Sequence, residues 1–197
     1  IRLPNLPKQD HRALVEELLG LESGFAAQVA ERTAGNPLFA ITLVGDFVLR
    51  GALELTRDGF ALKRGARADL PDDLHEVWDD RLRRVFERTP AGSRQALELG
   101  AVLGSAGDDG EWQAVCDEAG ADLPLKLIDE LLVSRLLVPD EGGLHFAHAM
   151  LRESVLRKAA EEGRLTACHL NAARMLEKRY GLAHRGMAAR IGRHLML

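Results

Sequence analysis

Apolar positions recur every three to four residues near the start of the chain, a spacing that gives a helix one buried face. The first predicted helix is capped by Asp10 and stops at Gly20, and its buried face consists of Leu14, Val15, Leu18 and Leu19. A second predicted helix runs from Ser23 to Gly35 and buries Phe25, Ala26, Val29 and Ala30. Gly35 suits the left-handed conformation in which many helices end.

A third helix and a hairpin are predicted next. Asn36 and Pro37 favour a helix start, because asparagine accepts a hydrogen bond at the cap and proline loses no bond at the first helical position. This largely buried helix is expected to run to Arg50. Beyond it, apolar residues alternate on both sides of Arg57-Asp58-Gly59, which predicts a tight two-stranded hairpin formed by Leu53, Leu55, Phe60 and Leu62.

The polar stretch 63–69 has no apolar face and marks the best domain boundary. Helical spacing then resumes in one amphipathic helix with Leu74, Val77, Trp78, Leu82, Val85 and Phe86 on one side. Three more helices are predicted: the first starts at Pro90, the second covers 112–119 after a Gly- and Asp-rich loop at 104–110, and the third is opened by Pro124.

The helical period is interrupted once in the second half of the chain. Residues 136–138 and 144–146 flank Pro139-Asp140-Glu141-Gly142-Gly143, which indicates a hairpin or wing. Three helices followed by a two-stranded wing is the order of a winged-helix domain. Helices resume at 150–160, and after a break at Gly163 an apolar stripe consists of Leu165, Cys168, Ala172, Met175 and Leu176.

Composition and charge narrow the classes of function. The 197 residues are 46% hydrophobic, and 30 acidic against 26 basic residues give a net charge of −4. The surface therefore lacks the broad positive field on which nonspecific DNA binding depends. No apolar run approaches the length of a membrane helix, and Cys116 and Cys168 lie on apolar stripes as small core residues. We expect a cytoplasmic protein and, since the sequence opens at Ile1, part of a longer chain.

Short motifs that resemble catalytic or metal-binding sites lack the residues that such sites require. Gly100 to Ser105 has glycines but no lysine to meet a phosphate, and the leucines around Asp129 and Glu130 have helical spacing rather than the alternation of an acidic strand. We therefore expect no enzyme activity on this chain. His145 and His148 have no readable third ligand, and nothing marks a base beside either cysteine, so neither a metal nor a catalytic nucleophile is predicted.

Two segments carry a family resemblance. Gly35-Asn36-Pro37-Leu38-Phe39-Ala40 and Phe146-Ala147-His148-Ala149-Met150-Leu151-Arg152-Glu153, in this order and with the predicted hairpin between them, resemble the STAND class of signal-transduction ATPases, which is AAA+-like and includes the plant NB-ARC proteins. The resemblance covers about residues 1–180. It implies a mainly α fold, with a helical lid bundle followed by a winged-helix domain and small β-hairpins.

The resemblance also implies domains and site residues. Residues 1–69 would form the lid, 70–160 the winged-helix domain, and 161–197 a helical linker with the start of a TPR-like repeat array. Pro37 would pack against the adenine, and His148 would reach the β-phosphate of bound ADP. Ala147 and Ala149 stand where the plant pattern has methionine and aspartate.

The implied function is that of the regulatory half of a bacterial nucleotide-dependent signalling switch. ATP or ADP would be held by a nucleotide-binding half of the same protein, and no nucleotide is expected on residues 1–197 alone. Exchange of ADP for ATP would release the closed form for self-assembly and transcription regulation, with protein partners reached through the C-terminal helices.

Two alternatives remain open at this stage. A winged-helix regulator would place its third helix, residues 124–134, in the DNA major groove, but this helix offers only Lys126 against Asp129 and Glu130. DNA binding by this segment is therefore disfavoured. The other alternative is a helical protein-interaction scaffold with no nucleotide role.

Overall fold

The computed structural model describes residues 4–66, 70–104, 106–107, 109–140, 143–181 and 186–196. The chain is mainly helical with small antiparallel sheets, as predicted. It divides into two compact units, Ile1–Arg81 and Leu82–Leu197. The boundaries expected after residues 69 and 160 stay predictions about independently folding domains.

The described part of the first unit begins with three α-helices, a π-helical turn and a hairpin. Its elements are α1 (Lys8–Ala13), a π-helical turn (Leu14–Leu18), α2 (Ser23–Thr33), α3 (Pro37–Leu49), β1 (Leu53–Thr56), β2 (Gly59–Leu62) and the beginning of α4 (Leu74–Arg88). The predicted hairpin is confirmed, with Leu53 opposite Leu62 and Leu55 opposite Phe60. The core packs the rings of Phe25 and Phe47 edge to face, with centroids 5.4 Å apart.

Two predicted helix ends in the first unit were wrong. Helix α1 is preceded by Pro7, so Asp10 lies in the first turn, where its charge favours the positive end of the helix, and does not cap it. Helix α2 ends on Ala34, which takes the left-handed conformation with φ 46°. Gly35 follows with φ 82°, and a Cβ built there would lie 2.6 Å from the carbonyl oxygen of Leu6. Gly35 is thus required by a close backbone contact rather than by the helix end itself.

The second unit contains six helices and a three-stranded sheet within its described residues. These are α5 (Ser93–Leu103), β3 (Ala106–Gly107), α6 (Asp109–Glu118), α7 (Leu125–Val133), β4 (Leu137–Asp140), β5 (Gly143–Phe146), α8 (Ala149–Glu161), α9 (Leu165–Tyr180) and α10 (Met187–Leu195). The sheet order is β3-β5-β4, and all pairs are antiparallel. Helix α9 packs against α5, α6, α8 and α10, and so lies at the centre of the helical layer.

Two predictions about this unit were wrong. The segment 104–110 was expected to be a loop only, yet Ala106 and Gly107 pair with His145 and Leu144 of β5. Two residues are too short to show alternation, so the sequence pattern could not reveal this strand. Helix α5 begins at Ser93, beyond Pro90, because Gly92 takes the left-handed conformation at the cap.

Neither of the two motifs that resembled nucleotide-binding sequences forms the loop or strand that such a site needs. Gly100 is inside α5, Gly104 caps its end and Ser105 lies outside the described residues, while Asp129 and Glu130 are inside α7. Across the described residues, no helix combines the length and the apolar character needed to cross a membrane.

Candidate functional site

Pro37 lies at a helix start that is held by two hydrogen bonds. The proline is the first residue of α3, its side chain is exposed, and Asn36 Oδ1 accepts a hydrogen bond of 3.1 Å from the Phe39 N–H. The predicted cap is therefore confirmed. The Leu6 N–H donates to the Gly35 carbonyl at 2.8 Å, which fixes the preceding turn against the N-terminal segment. The arrangement presents an apolar ring on a rigid base, which suits contact with a flat ligand surface.

His148 lies at the start of α8, one position before its first helical residue. It is the N-cap residue, with φ −144° and ψ 140°, its side chain is exposed, and it makes no side-chain hydrogen bond to the first turn of the helix. The Ala147 N–H donates to the Leu136 carbonyl at 3.0 Å, so the sheet fixes the approach to the helix. The backbone N–H groups at the start of a helix favour an anion. The imidazole is thus placed at an end of the helix that suits a negatively charged group.

The two predicted site residues belong to different units. Pro37 is in the first unit and His148 is in the second, and each is described within its own unit. Their convergence on one ligand therefore remains a prediction.

The structure reveals a second candidate site that the sequence did not indicate. A cavity of about 330 Å³ in the second unit is enclosed on one side by Val102, Leu103 and Gly104 at the end of α5. Its polar lining comes from α8, α9 and α10. We call it the cationic pocket, and its polar lining residues are Arg152, His169, Arg190, Arg193 and His194.

Two of the pocket arginines are anchored by the end of α5. Arg152 Nε donates to the Ala101 carbonyl at 2.6 Å, and Arg190 donates to the Leu103 carbonyl at 3.4 Å. Arg190 also forms two hydrogen bonds, of 2.7 and 2.6 Å, with the buried Glu111 carboxylate. These bonds satisfy carbonyl groups that the last turn of a helix leaves open, and they fix both guanidinium groups in place.

The two pocket histidines form a buried pair. His169 Nδ1 and His194 Nδ1 lie 2.9 Å apart, and both side chains are less than a tenth exposed. Burial, together with the charges of His169, Arg190, Arg193 and Arg152, lowers the pKa of His194 to about 4. Burial and the charge of Arg152 also lower the pKa of His169. Both rings are therefore neutral near pH 7, with one Nδ1–H donating to the other Nδ1.

Sequence reasoning missed the pocket because its members are far apart in the chain. The only local signal is the spacing of Arg190, Arg193 and His194, which places three basic residues on one side of α10. The Arg152 guanidinium reaches the end of a helix 51 residues earlier in the chain. That contact depends on tertiary packing, which periodicity does not encode.

Metal-binding side chains and the two cysteines were examined for a site in the described part of the chain. No group of three or more His, Cys, Asp or Glu side chains there is arranged to hold a metal ion. Cys116 and Cys168 are both buried. Burial raises the pKa of the Cys116 thiol to about 12 and that of Cys168 to about 11, so neither is a thiolate near pH 7.

Comparison with known proteins gave no match to a family model, to a curated protein or to a solved structure.

Proposed function

We propose that this chain is the regulatory part of a nucleotide-dependent signalling switch, with a helical lid in its first unit and a winged-helix domain in its second. In this proposal a separate nucleotide-binding half holds ADP or ATP. The adenine contacts Pro37, and the β-phosphate contacts His148. Bound ADP favours the closed arrangement, and its replacement by ATP releases the two modules for assembly.

The placement of the two site residues carries this proposal. Pro37 and His148 are both exposed, and each stands at the first turn of a helix whose start is fixed by backbone hydrogen bonds. Structural prolines and histidines at helix starts need not be exposed. Exposure at both positions, in the two segments that resemble the family, favours a role in ligand contact.

The element order of the second unit gives independent support for the winged-helix assignment. Helix, short strand, helix, helix and a two-stranded wing follow one another as α5, β3, α6, α7, β4 and β5. The first strand pairs with the last, which places the short strand β3 at one edge of the sheet. A winged-helix domain has this order and this pairing.

The test is ADP release from a protein that carries this chain together with its nucleotide-binding half. His148→Ala removes the donor to the β-phosphate, so we expect ADP to dissociate about tenfold faster, which corresponds to the loss of one hydrogen bond to a charged group. His148→Gln keeps an N–H donor without titrating and is the matched control, which should retain most of the ADP affinity. Equal ADP release rates in wild type and His148→Ala would refute the proposal.

A protein-interaction scaffold is the second candidate, and the surface of α7 favours it over DNA binding. Leu125 and Val133 are about three-quarters exposed, and the residue between them on the same stripe is Asp129. Glu130 forms an ion pair with Arg88. A helix face with two apolar side chains and an acid repels phosphates and suits a protein partner. A mobility shift that weakens steeply with salt would instead support DNA binding.

A further inference from the structure

We propose that the cationic pocket of the second unit is a binding site for a small phosphate-bearing anion, and that binding of this anion is coupled to proton uptake by the His169–His194 pair. The site is separate from the nucleotide contacts proposed above. It lies entirely within residues of the second unit, so it can be tested without a nucleotide-binding half.

The charges that face the cavity carry the proposal. Guanidinium groups from α8 and α10 converge on it, and no carboxylate is among its lining residues in the described part of the chain. Glu111 on α6 is bound to Arg190 through both oxygens, and the charge of Glu153 offsets part of the charge of Arg152. Arg193 therefore leaves an excess of positive charge. An anion bound in the cavity would neutralise this excess positive charge.

Arg193 differs from the other two arginines in a way that indicates ligand binding. Arg152 and Arg190 hold the end of α5, and so have structural roles. Arg193 has no ion-pair or hydrogen-bond partner among the described residues, and its side chain is exposed at the cavity rim. Arg193 is the third arginine that lines the cavity, and no structural contact explains its presence there.

The size and shape of the cavity limit the ligand. A volume of about 330 Å³ is at the small end of ligand sites and exceeds what a bare phosphate needs. A guanidinium group binds carboxylates and phosphates alike through paired hydrogen bonds, but a phosphate offers at least three oxygens to several guanidinium groups where a carboxylate offers two. A metal ion does not fit, since three arginines repel a cation. Phosphate itself and a phosphate monoester with a small organic group share the required chemistry.

The histidine pair adds a proton to the binding reaction. Without a bound anion, Arg152 opposes a charge on either ring, and Arg190, Arg193 and His169 oppose a charge on His194. A bound dianion offsets this repulsion. Protonation of one ring then keeps the Nδ1–H to Nδ1 hydrogen bond and adds an N–H donor on the outer nitrogen. The affinity for the anion should therefore rise as the pH falls.

Calorimetric titration of the 197-residue protein with inorganic phosphate and with glycerol 3-phosphate tests the site. We expect saturable binding of one equivalent, weakened about tenfold in Arg193→Gln by loss of a charge-assisted contact. Arg174→Gln is the matched control, because Arg174 is also exposed, on α9, but does not line the cavity. Tighter binding of glycerol 3-phosphate would assign the site to a phosphate ester, and tighter binding of inorganic phosphate would assign it to the free anion.

Sulfate tests the coupling, because sulfate does not titrate in the relevant pH range. Sulfate should bind about tenfold more tightly near pH 5.5 than near pH 7.5, from the linkage of one buried histidine to the bound anion. The double variant His169→Asn with His194→Asn keeps amides at both positions but has no imidazole to take up the proton, so it should lose this pH dependence. Equal weakening in Arg193→Gln and Arg174→Gln would overturn the site, and pH-independent sulfate binding in wild type would overturn the coupling.

Discussion

Gly100 shows how one missing side chain positions a core tryptophan. It lies inside α5, and a Cβ built there would come within 2.7 Å of Cε2 and Nε1 of the Trp112 indole. The same indole donates to the Ala96 carbonyl at 2.7 Å. A glycine inside a helix costs about 1 kcal/mol relative to alanine. Here that cost is offset by the close packing of α6 against α5.

Substitution of Gly100 should therefore reverse the usual effect of alanine in a helix. Gly100→Ala is expected to lower the free energy of unfolding by about 2 kcal/mol, because the indole must leave its position and its hydrogen bond. Gly45→Ala is the control, since Gly45 is inside α3 with nothing within 4 Å of its added Cβ. That substitution should stabilise the protein by about 0.5–1 kcal/mol. Urea unfolding followed by circular dichroism measures both, and stabilisation by Gly100→Ala would contradict this account.

Residue roles were predictable from sequence only where local chemistry determines them. The Asn36 cap follows from residue type, and the structure bears it out. The role of Gly100 was not predictable, because its reason is an indole from another helix. The sequence supported only a glycine stop near the end of α5, which fits Gly104 with its φ of 130°. The exposure of Pro37 and His148 was not predictable either, because it depends on which elements pack around each helix start.

Helices α5 and α9 are joined through a buried ion pair at the turn between α8 and α9. Arg164 forms hydrogen bonds of 2.9 and 2.6 Å to both oxygens of Glu98, which is 2% exposed. These bonds raise the pKa of Arg164, and Glu162 adds to the effect. The pair fixes where α9 begins. It is also the reason that an acid is tolerated on the buried side of α5.

Two arginine substitutions compare the contribution of the Arg164–Glu98 pair to stability with that of a surface ion pair. Arg164→Met leaves the Glu98 carboxylate buried without its partner, and we expect a loss of about 3 kcal/mol in the free energy of unfolding. Arg157→Met removes an exposed i, i+4 partner of Glu161 and should cost less than about 0.5 kcal/mol. The double variant Glu98→Leu with Arg164→Met should recover most of the loss, because no charge then remains buried. Equal destabilisation by the two single arginine variants would argue against the buried pair.

At the level of elements, periodicity predicted the long helices well and the short elements poorly. The apolar spacing of α4 corresponds to buried Leu74, Val77, Trp78, Leu82 and Val85. Strand β3 was missed because it is stabilised by pairing with β5, about 40 residues later in the chain. Two helices begin two or three residues away from the predicted position. Helix α1 is capped by Pro7 instead of Asp10, and α5 is capped by Gly92 instead of starting at Pro90.

At the scale of the whole molecule, each unit contains a buried histidine whose pKa is lowered by burial. In the first unit His11 Nε2 lies 2.7 Å from Thr33 Oγ1, and burial lowers its pKa. In the second unit His194 pairs with His169 between α9 and α10, the most extensively packed pair of helices in the described chain. Acid should weaken both units, so a measurement must distinguish them.

The His194 contribution has a defined sign and pH window. The pKa of His194 is about 4 in the folded chain against an ordinary value of 6.5, so the unfolded chain binds more protons between these two values. The stabilising effect is fully present above pH 6.5 and is lost as the pH falls toward 4. Between about pH 7.5 and pH 5 the free energy of unfolding of the second unit should fall by about 2 kcal/mol from this residue.

Fluorescence of Trp112 in a Trp78→Phe background can follow this change in the second unit alone, since Trp112 is buried there and bonded to α5. Urea unfolding at the two pH values gives the difference, and the same measurement on His194→Asn gives the control. The variant keeps a hydrogen-bonding group beside His169 Nδ1 but has no imidazole at position 194 to protonate. Its free energy of unfolding should therefore fall by about 2 kcal/mol less between pH 7.5 and pH 5 than that of the wild type. An equal loss of stability in both proteins would show that His194 is not the group through which acid acts. The acid sensitivity of this unit would then have to come from His169 or from its carboxylates, and the proton uptake proposed for the cationic pocket could not be assigned to His194.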